Sequence, residues 1–157
     1  MVRLNGSVDF SRSPHVSPVS LPNHLEDFAG QRCHVSGWRK NSSKGGTYQN
    51  VLNEVQLPIV NNSQCQSMLR ETNLGRFFRL DEGFLCAGGE EGEDACDVVT
   101  WRGDGGGPLV CKINGISKLA GIVSWGMRRN GLRDVPGVYV KVSNYVKWVQ
   151  DQLLQSN

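Results

Sequence analysis

The sequence predicts an all-β fold, a small antiparallel barrel or sandwich ending in an α-helix, and three observations carry that expectation. From Arg32 onward, six short apolar segments follow one another, each bounded by glycine or polar turn residues. In the second of them Val51, Val55, Leu57 and Ile59 largely alternate with polar residues, the two-residue period of a half-buried strand. At the C-terminus the period changes: Tyr145, Val146, Val149 and Leu153 recur at near-helical spacing. A chain of 157 residues is long enough to bury a substantial core as one domain.

Taken in order, the chain begins with a short strand expected over Met1–Leu4, followed by a connector. Pro14, Pro18 and Pro22 each remove a backbone donor, so SPHVSPVSLP is expected to run as extended surface chain and not as a central strand. The strands are expected over Arg32–Gly37, Gln49–Pro58, Gly83–Ala87, Pro108–Ile113, Leu119–Trp125 and Gly137–Val142. A short helix falls between the second and third, capped by Asn62 or Ser63, with Cys65, Met68 and Leu69 on one face. The last helix is expected to start at Ser143 as its N-cap, with its stripe, and Trp148 on the same general side, packed against the core. Gly88–Asp94, GGEEGED, reads as a solvated acidic turn, because it lacks the alternating ligands of a calcium loop.

Composition excludes several function classes. Apolar content of 38% and charged content of 20% are ordinary for a soluble globular protein, and a net charge of +2 carries no strong field. Arg128, Arg129 and Arg133 form the densest basic patch and read as a solvated loop, so no nucleic-acid partner is expected. No apolar run approaches the ~18 residues that a membrane span needs. The opening MVRLNGSVDF lacks the hydrophobic stretch of a signal peptide.

Five cysteines (Cys33, Cys65, Cys86, Cys96 and Cys111) are widely spread, with no CxxC pair and no histidine at zinc-ligand spacing. No metal or cofactor is therefore expected, and disulfides in an oxidising compartment fit better. Three glycosylation sequons, at Asn5, Asn41 and Asn61, agree with an extracellular location, each a weak signal alone. An odd cysteine count leaves at least one thiol without an internal partner.

The ordered segments CHVSGW, GFLCAGG, DAC, GDGGGPLVC, GIVSWG and PGVYVKVSNYVKWV resemble the C-terminal barrel of chymotrypsin-like serine proteases, over roughly Gly30–Leu154. Within that family the chain is most similar to the clip-type, non-catalytic serine protease homologues of invertebrates. The resemblance implies a six-stranded antiparallel Greek-key barrel, the second of the family's two, with a C-terminal helix. It divides the chain into residues 1–29, the last strand of a first barrel plus the inter-barrel connector, then the barrel over 30–142 and the helix over 143–157.

The family's chemistry needs a serine nucleophile, a histidine base and an aspartate that holds the histidine. The family's GDSGGP motif matches Gly103-Asp104-Gly105-Gly106-Gly107-Pro108, so the resemblance puts Gly105 where the nucleophile stands, with Gly103 and Asp104 in the oxyanion loop. The triad histidine belongs to the first barrel and the aspartate to the residues just before the strand that MVRL resembles, so neither is expected in this chain. His15, His24 and His34 read as structural or solvent-exposed. The expectation is a protein that is not an enzyme.

The resemblance also implies two disulfides, Cys33–Cys111 and Cys65–Cys86, and leaves Cys96 without its usual partner. Cys96 reads as a buried small apolar residue, or else as the link to another chain. Val98–Arg102 look inserted relative to the family. Asp94 matches the base of the specificity pocket of trypsin-like members, with Ser124, Trp125, Gly126 and Gly137 along its walls, so a vestigial pocket for an Arg or Lys side chain is expected. The resulting expectation is a secreted pseudoprotease that binds a protein partner (a protease, a zymogen or a first barrel) in a cascade such as innate immunity, clotting or melanisation. Two alternatives stand beside it: a fragment of an active trypsin-like endopeptidase, and a structural or interaction domain linked through Cys96. The barrel face that meets a first barrel in the family is expected to be apolar.

Overall fold

The computed structural model describes residues 2, 4–38, 50–90, 104–127 and 135–155. Among them six strands form a closed barrel: β1 (Arg32–Gly37), β2 (Asn53–Val60), β3 (Phe84–Ala87), β4 (Pro108–Ile113), β5 (Ile116–Trp125) and β6 (Gly137–Lys141). The order around the ring is β1-β2-β3-β6-β5-β4, and every neighbouring pair is antiparallel. Reading 4-1-2-3 around that ring gives the Greek-key connection. Closure gives every strand a paired neighbour on both sides. Helix α1 (Asn62–Arg70) joins β2 to β3, and helix α2 (Val146–Leu154) follows a 3-10 turn over Val142–Asn144.

The alternation of side chains builds the barrel interior. Cys33 and Val35 from β1, Leu57 and Ile59 from β2, Leu85 and Ala87 from β3, and Leu109 and Cys111 from β4 all point inward with Val123 and Tyr139. Cys33 and Cys111 stand opposite one another in the β1–β4 ladder and are joined by a disulfide. A second cluster lies under α1, where Leu69 packs with Val135 and Val138 beside the Cys65–Cys86 disulfide, which ties α1 to β3.

Several boundaries differ from the sequence expectation, each for a local reason. Strand β5 begins at Ile116, ahead of the expected Leu119, because Asn114 and Gly115, with φ of 50° and 82°, form a two-residue hairpin that brings Ile113 opposite Ile116. Strand β2 starts only at Asn53, where pairing with Gly37 begins, so Val51 lies outside it and is 73% exposed. Val2 and Leu4 lie in no strand and are exposed, whereas Met1 and Arg3 lie outside the described residues.

The helix starts also shift. Asn61 caps α1, its Oδ1 accepting from the Gln64 N–H at 2.8 Å, while Asn62 turns its Nδ2 onto the Phe84 carbonyl. Ser143 is not the N-cap of α2. It is fully buried inside the 3-10 turn, and the chain enters α2 through Tyr145, whose N–H donates to the Val142 carbonyl. The expected core-facing stripe of α2 is covered only in part: Val146 is buried and Val149 half-buried, but Tyr145, Trp148 and Leu153 are exposed. Periodicity marks an apolar face; it does not say that the barrel reaches far enough to cover it.

The connector is surface chain pinned at several points. Ser20 exchanges backbone hydrogen bonds with Ser117 and Leu119, Gly30 and Gln31 bond Ile59, and Phe28 is inserted into the core. Glu26 forms an ion pair with Lys118 of β5 at 2.6 Å, with both side chains largely shielded. The Lys118 ammonium, and then the Asn23 N–H, hold the Glu26 carboxyl below its ordinary value. A carboxyl lowered on folding adds stability above its unfolded pKa, and that stability is lost as pH falls through the folded one. Urea midpoints followed downward through the carboxylate range should therefore fall less steeply for Glu26→Gln than for the parent; parallel slopes would contradict this role of the pair.

Candidate functional site

The turn ahead of β4 is built from four consecutive residues. Gly106 has a φ of 86°, a left-handed conformation that favours glycine. Its N–H donates to the Val123 carbonyl at 3.0 Å, and the Val123 N–H donates back to the Gly107 carbonyl at 2.9 Å. Gly107 closes the turn with its N–H on the Asp104 carbonyl at 2.9 Å. A Cβ on Gly107 would stand 2.9 Å from that same carbonyl oxygen, too close for any side chain without moving backbone. Gly105 is different. Its φ is not positive, it is exposed, and an added Cβ would meet nothing within 4 Å. Of the three glycines only Gly105 occupies a position that the backbone leaves open to other residues.

This contrast gives a stability prediction. Gly107→Ala should cost about 1–3 kcal/mol through overpacking against backbone, whereas Gly105→Ala should stay within about 0.5 kcal/mol of the parent. Equal denaturation midpoints for the two variants would contradict the geometry.

The half-buried carboxylate of Asp104 lies across the Cα of Gly37 at the end of β1; a Cβ there would fall 2.3 Å from the carboxylate carbon. The sequence reading did not single out Gly37. Only the contact between β1 and the turn shows why the CHVSGW segment needs a residue without a side chain at that point.

The turn's hydrogen bonds to Val123 place it beside the end of β5, where the register shifts between Val123 and Trp125. Ser124, at that shift, is exposed; Trp125 is half-buried, with its ring edge-on to Phe78 at 6.0 Å and to Phe84 at 6.2 Å. Gly126 is half-buried, and Gly137 is buried at the start of β6, next to Val138, which pairs with Trp125. The fold thus gathers Gly105, Ser124, Trp125, Gly126 and Gly137 around the ends of β4, β5 and β6. Asp94, Cys96, the Val98–Arg102 segment and Gly103 lie outside the described residues, as does Asn41. Beneath this wall Tyr139 is buried opposite Val123, and desolvation pushes its hydroxyl well above the usual range. The inward alternation of Val123 with Tyr139 needed the strand register to be seen.

No histidine is part of this arrangement among the described residues. His34 on β1 pairs through Nδ1 with Glu54 of β2 and stands opposite Gln56 and Val110 in the ladders. His15 and His24 are exposed in the connector. Glu90, in the described part of the acidic turn, forks onto the Arg32 guanidinium at 2.8 and 3.0 Å.

The profile of the trypsin family matches residues 1–149. An inactive CLIP domain-containing serine protease of Anopheles gambiae is 45% identical over 89% of this chain and 35% of its own length. Phenoloxidase-activating factor 2 of Galleria mellonella is 46% identical over 90% of this chain and 46% of its own length. The chain thus spans less than half the length of these two relatives. Among solved structures, mouse neuropsin, a serine protease, superposes with a TM-score of 0.66 at 35% identity, over 88% of this chain and 54% of that one.

Proposed function

The chain belongs to the trypsin family, and from that premise we propose that it is a non-catalytic member, a secreted binding module in an extracellular protease cascade. The observation that carries this reading is Gly105. The family motif implies the nucleophile position for it, and it stands exposed in a turn where an added Cβ would meet nothing within 4 Å. Whatever precedes residue 1, that position has no hydroxyl to attack a carbonyl.

The relatives support the same reading. One bears the word inactive in its name, and another is named for activating phenoloxidase, so a cascade leading to phenoloxidase is the proposed setting. Disulfides at Cys33–Cys111 and Cys65–Cys86 suit an oxidising compartment. Asp94, with Ser124, Trp125, Gly126 and Gly137, is proposed to keep a pocket that holds an Arg or Lys of a partner by charge-assisted hydrogen bonding without cutting after it.

Labelling with a serine-directed fluorophosphonate tests the proposal. The expected result is no adduct under conditions in which an active trypsin-like enzyme labels stoichiometrically. A stoichiometric adduct on this chain overturns the reading.

A further inference from the structure

We propose that Asn61 carries an N-linked oligosaccharide while the same side chain continues to cap helix α1. Asn61-Asn62-Ser63 is a glycosylation sequon, and the tripeptide alone decides little. The fold adds what the tripeptide lacks. Asn61 is exposed at the point where β2 ends and α1 begins. Its Oδ1 is fully engaged, accepting from the Gln64 N–H at 2.8 Å and from the Ser63 hydroxyl at 2.8 Å. The oxygen therefore does the capping, and Nδ2, the atom that takes the sugar, is bound by no described residue. Neighbouring Asn62 is the reverse case: half-buried, with its Nδ2 donating to the Phe84 carbonyl at 3.0 Å.

Transfer of the oligosaccharide breaks the C1–O bond of a lipid-pyrophosphate-linked donor and forms a C1–Nδ2 bond. The amide loses one proton as the lipid pyrophosphate leaves, and nothing is oxidised or reduced. The amide oxygen keeps both acceptor interactions, so the product retains the helix cap. Because the cap fixes the plane of the amide, the first sugar starts from a held direction.

That direction has a place on the protein. Asn61 lies on the rim of two adjoining hollows of about 280 and 340 Å³, which share the apolar wall of Ala29, Ile59 and Val60. A glycan anchored there covers the seam between the connector, β2 and α1. The turn carrying Gly105 stands on β4 and β5, so the glycan leaves from other elements than those that form the proposed partner-binding site.

The inference rests on the extracellular reading above, and its test separates the two. The full chain is secreted from insect cells behind a heterologous leader, so export is imposed and only the occupancy of Asn61 is asked. Digestion with a peptide-N-glycosidase should remove an oligosaccharide mass and convert Asn61 to Asp in the peptide that contains it. Asn61→Asp and Ser63→Ala should each lose that mass. Asn61→Asp keeps an acceptor at the cap, so its melting temperature should lie above that of Asn61→Ala. Protein recovered from the medium with both disulfides closed and Asn61 unmodified overturns the inference, as does a glycan that persists on the Asn61 peptide of Ser63→Ala. Absence of the endogenous, leader-free protein from the medium would count against the extracellular reading alone.

Discussion

The 157-residue chain is expected to leave peptide substrates intact, and Gly105→Ser is expected not to change that. In a triad enzyme, loss of the nucleophile alone lowers turnover on the order of 10⁶-fold, leaving ~10³-fold acceleration over water from binding and the oxyanion site. The unmodified chain should therefore show no turnover above background with chromogenic Arg or Lys peptide substrates. Restoring a hydroxyl is sterically free, since nothing lies within 4 Å of a Cβ at Gly105. The variant should fold within about 0.5 kcal/mol of the parent. A serine without a base in hydrogen-bond reach stays a weak nucleophile, and His34 is held by Glu54 while His15 and His24 stand in the connector. Matched stability with no gain of activity is the informative pair of readouts. Turnover by the unmodified chain sinks the non-catalytic reading; turnover by the serine variant means that a base reaches the turn after all.

Removal of the Cys33–Cys111 disulfide should have the largest effect on stability. The bond joins residues separated by 78 positions, and the segment it closes holds β1 to β4 and α1. The chain-entropy model assigns a loop of that size ~4 kcal/mol of destabilisation of the unfolded chain. Total stability of a domain is typically about 5–15 kcal/mol, so the double variant Cys33→Ala with Cys111→Ala should be marginal at 25 °C. The shorter loop closed by Cys65–Cys86, with a separation of 21, should contribute ~3 kcal/mol. Urea denaturation of the two double variants checks the order. An unchanged midpoint for the Cys33/Cys111 variant would mean that β1–β4 pairing alone closes the barrel.

Where local signals were strong, residue order and fold agree closely. Strands β1 and β4 occupy Arg32–Gly37 and Pro108–Ile113, the ranges expected from their glycine and proline boundaries. The early start of β5 was also legible: Asn114-Gly115 between apolar runs is a strong hairpin signal that the strand pattern alone passed over. The helix caps were harder. Asn61, Asn62 and Ser63 are all competent N-caps by residue type, and the cap goes to Asn61 because the Asn62 amide is drawn instead to the Phe84 carbonyl of β3.

The candidate site divides the same way. The motif over 103–108 is contiguous, so Gly105 can be matched to the proposed nucleophile position before any fold is known. The packing around it is not contiguous. Gly37 accommodates Asp104 from the far end of β1, and Val123 holds the turn through two backbone hydrogen bonds. Such contacts depend on which strands become neighbours.

Residue order alone therefore set the fold class and most strand positions, because turn chemistry and side-chain alternation act over a few residues. Tertiary structure alone decided which glycines in the turn are obligatory, which asparagine caps α1, and that the apolar stripe of α2 is covered at Val146 and partly at Val149 but not at Tyr145 or Leu153. Those outcomes depend on the distance to atoms far away in the chain, and no local pattern encodes that distance.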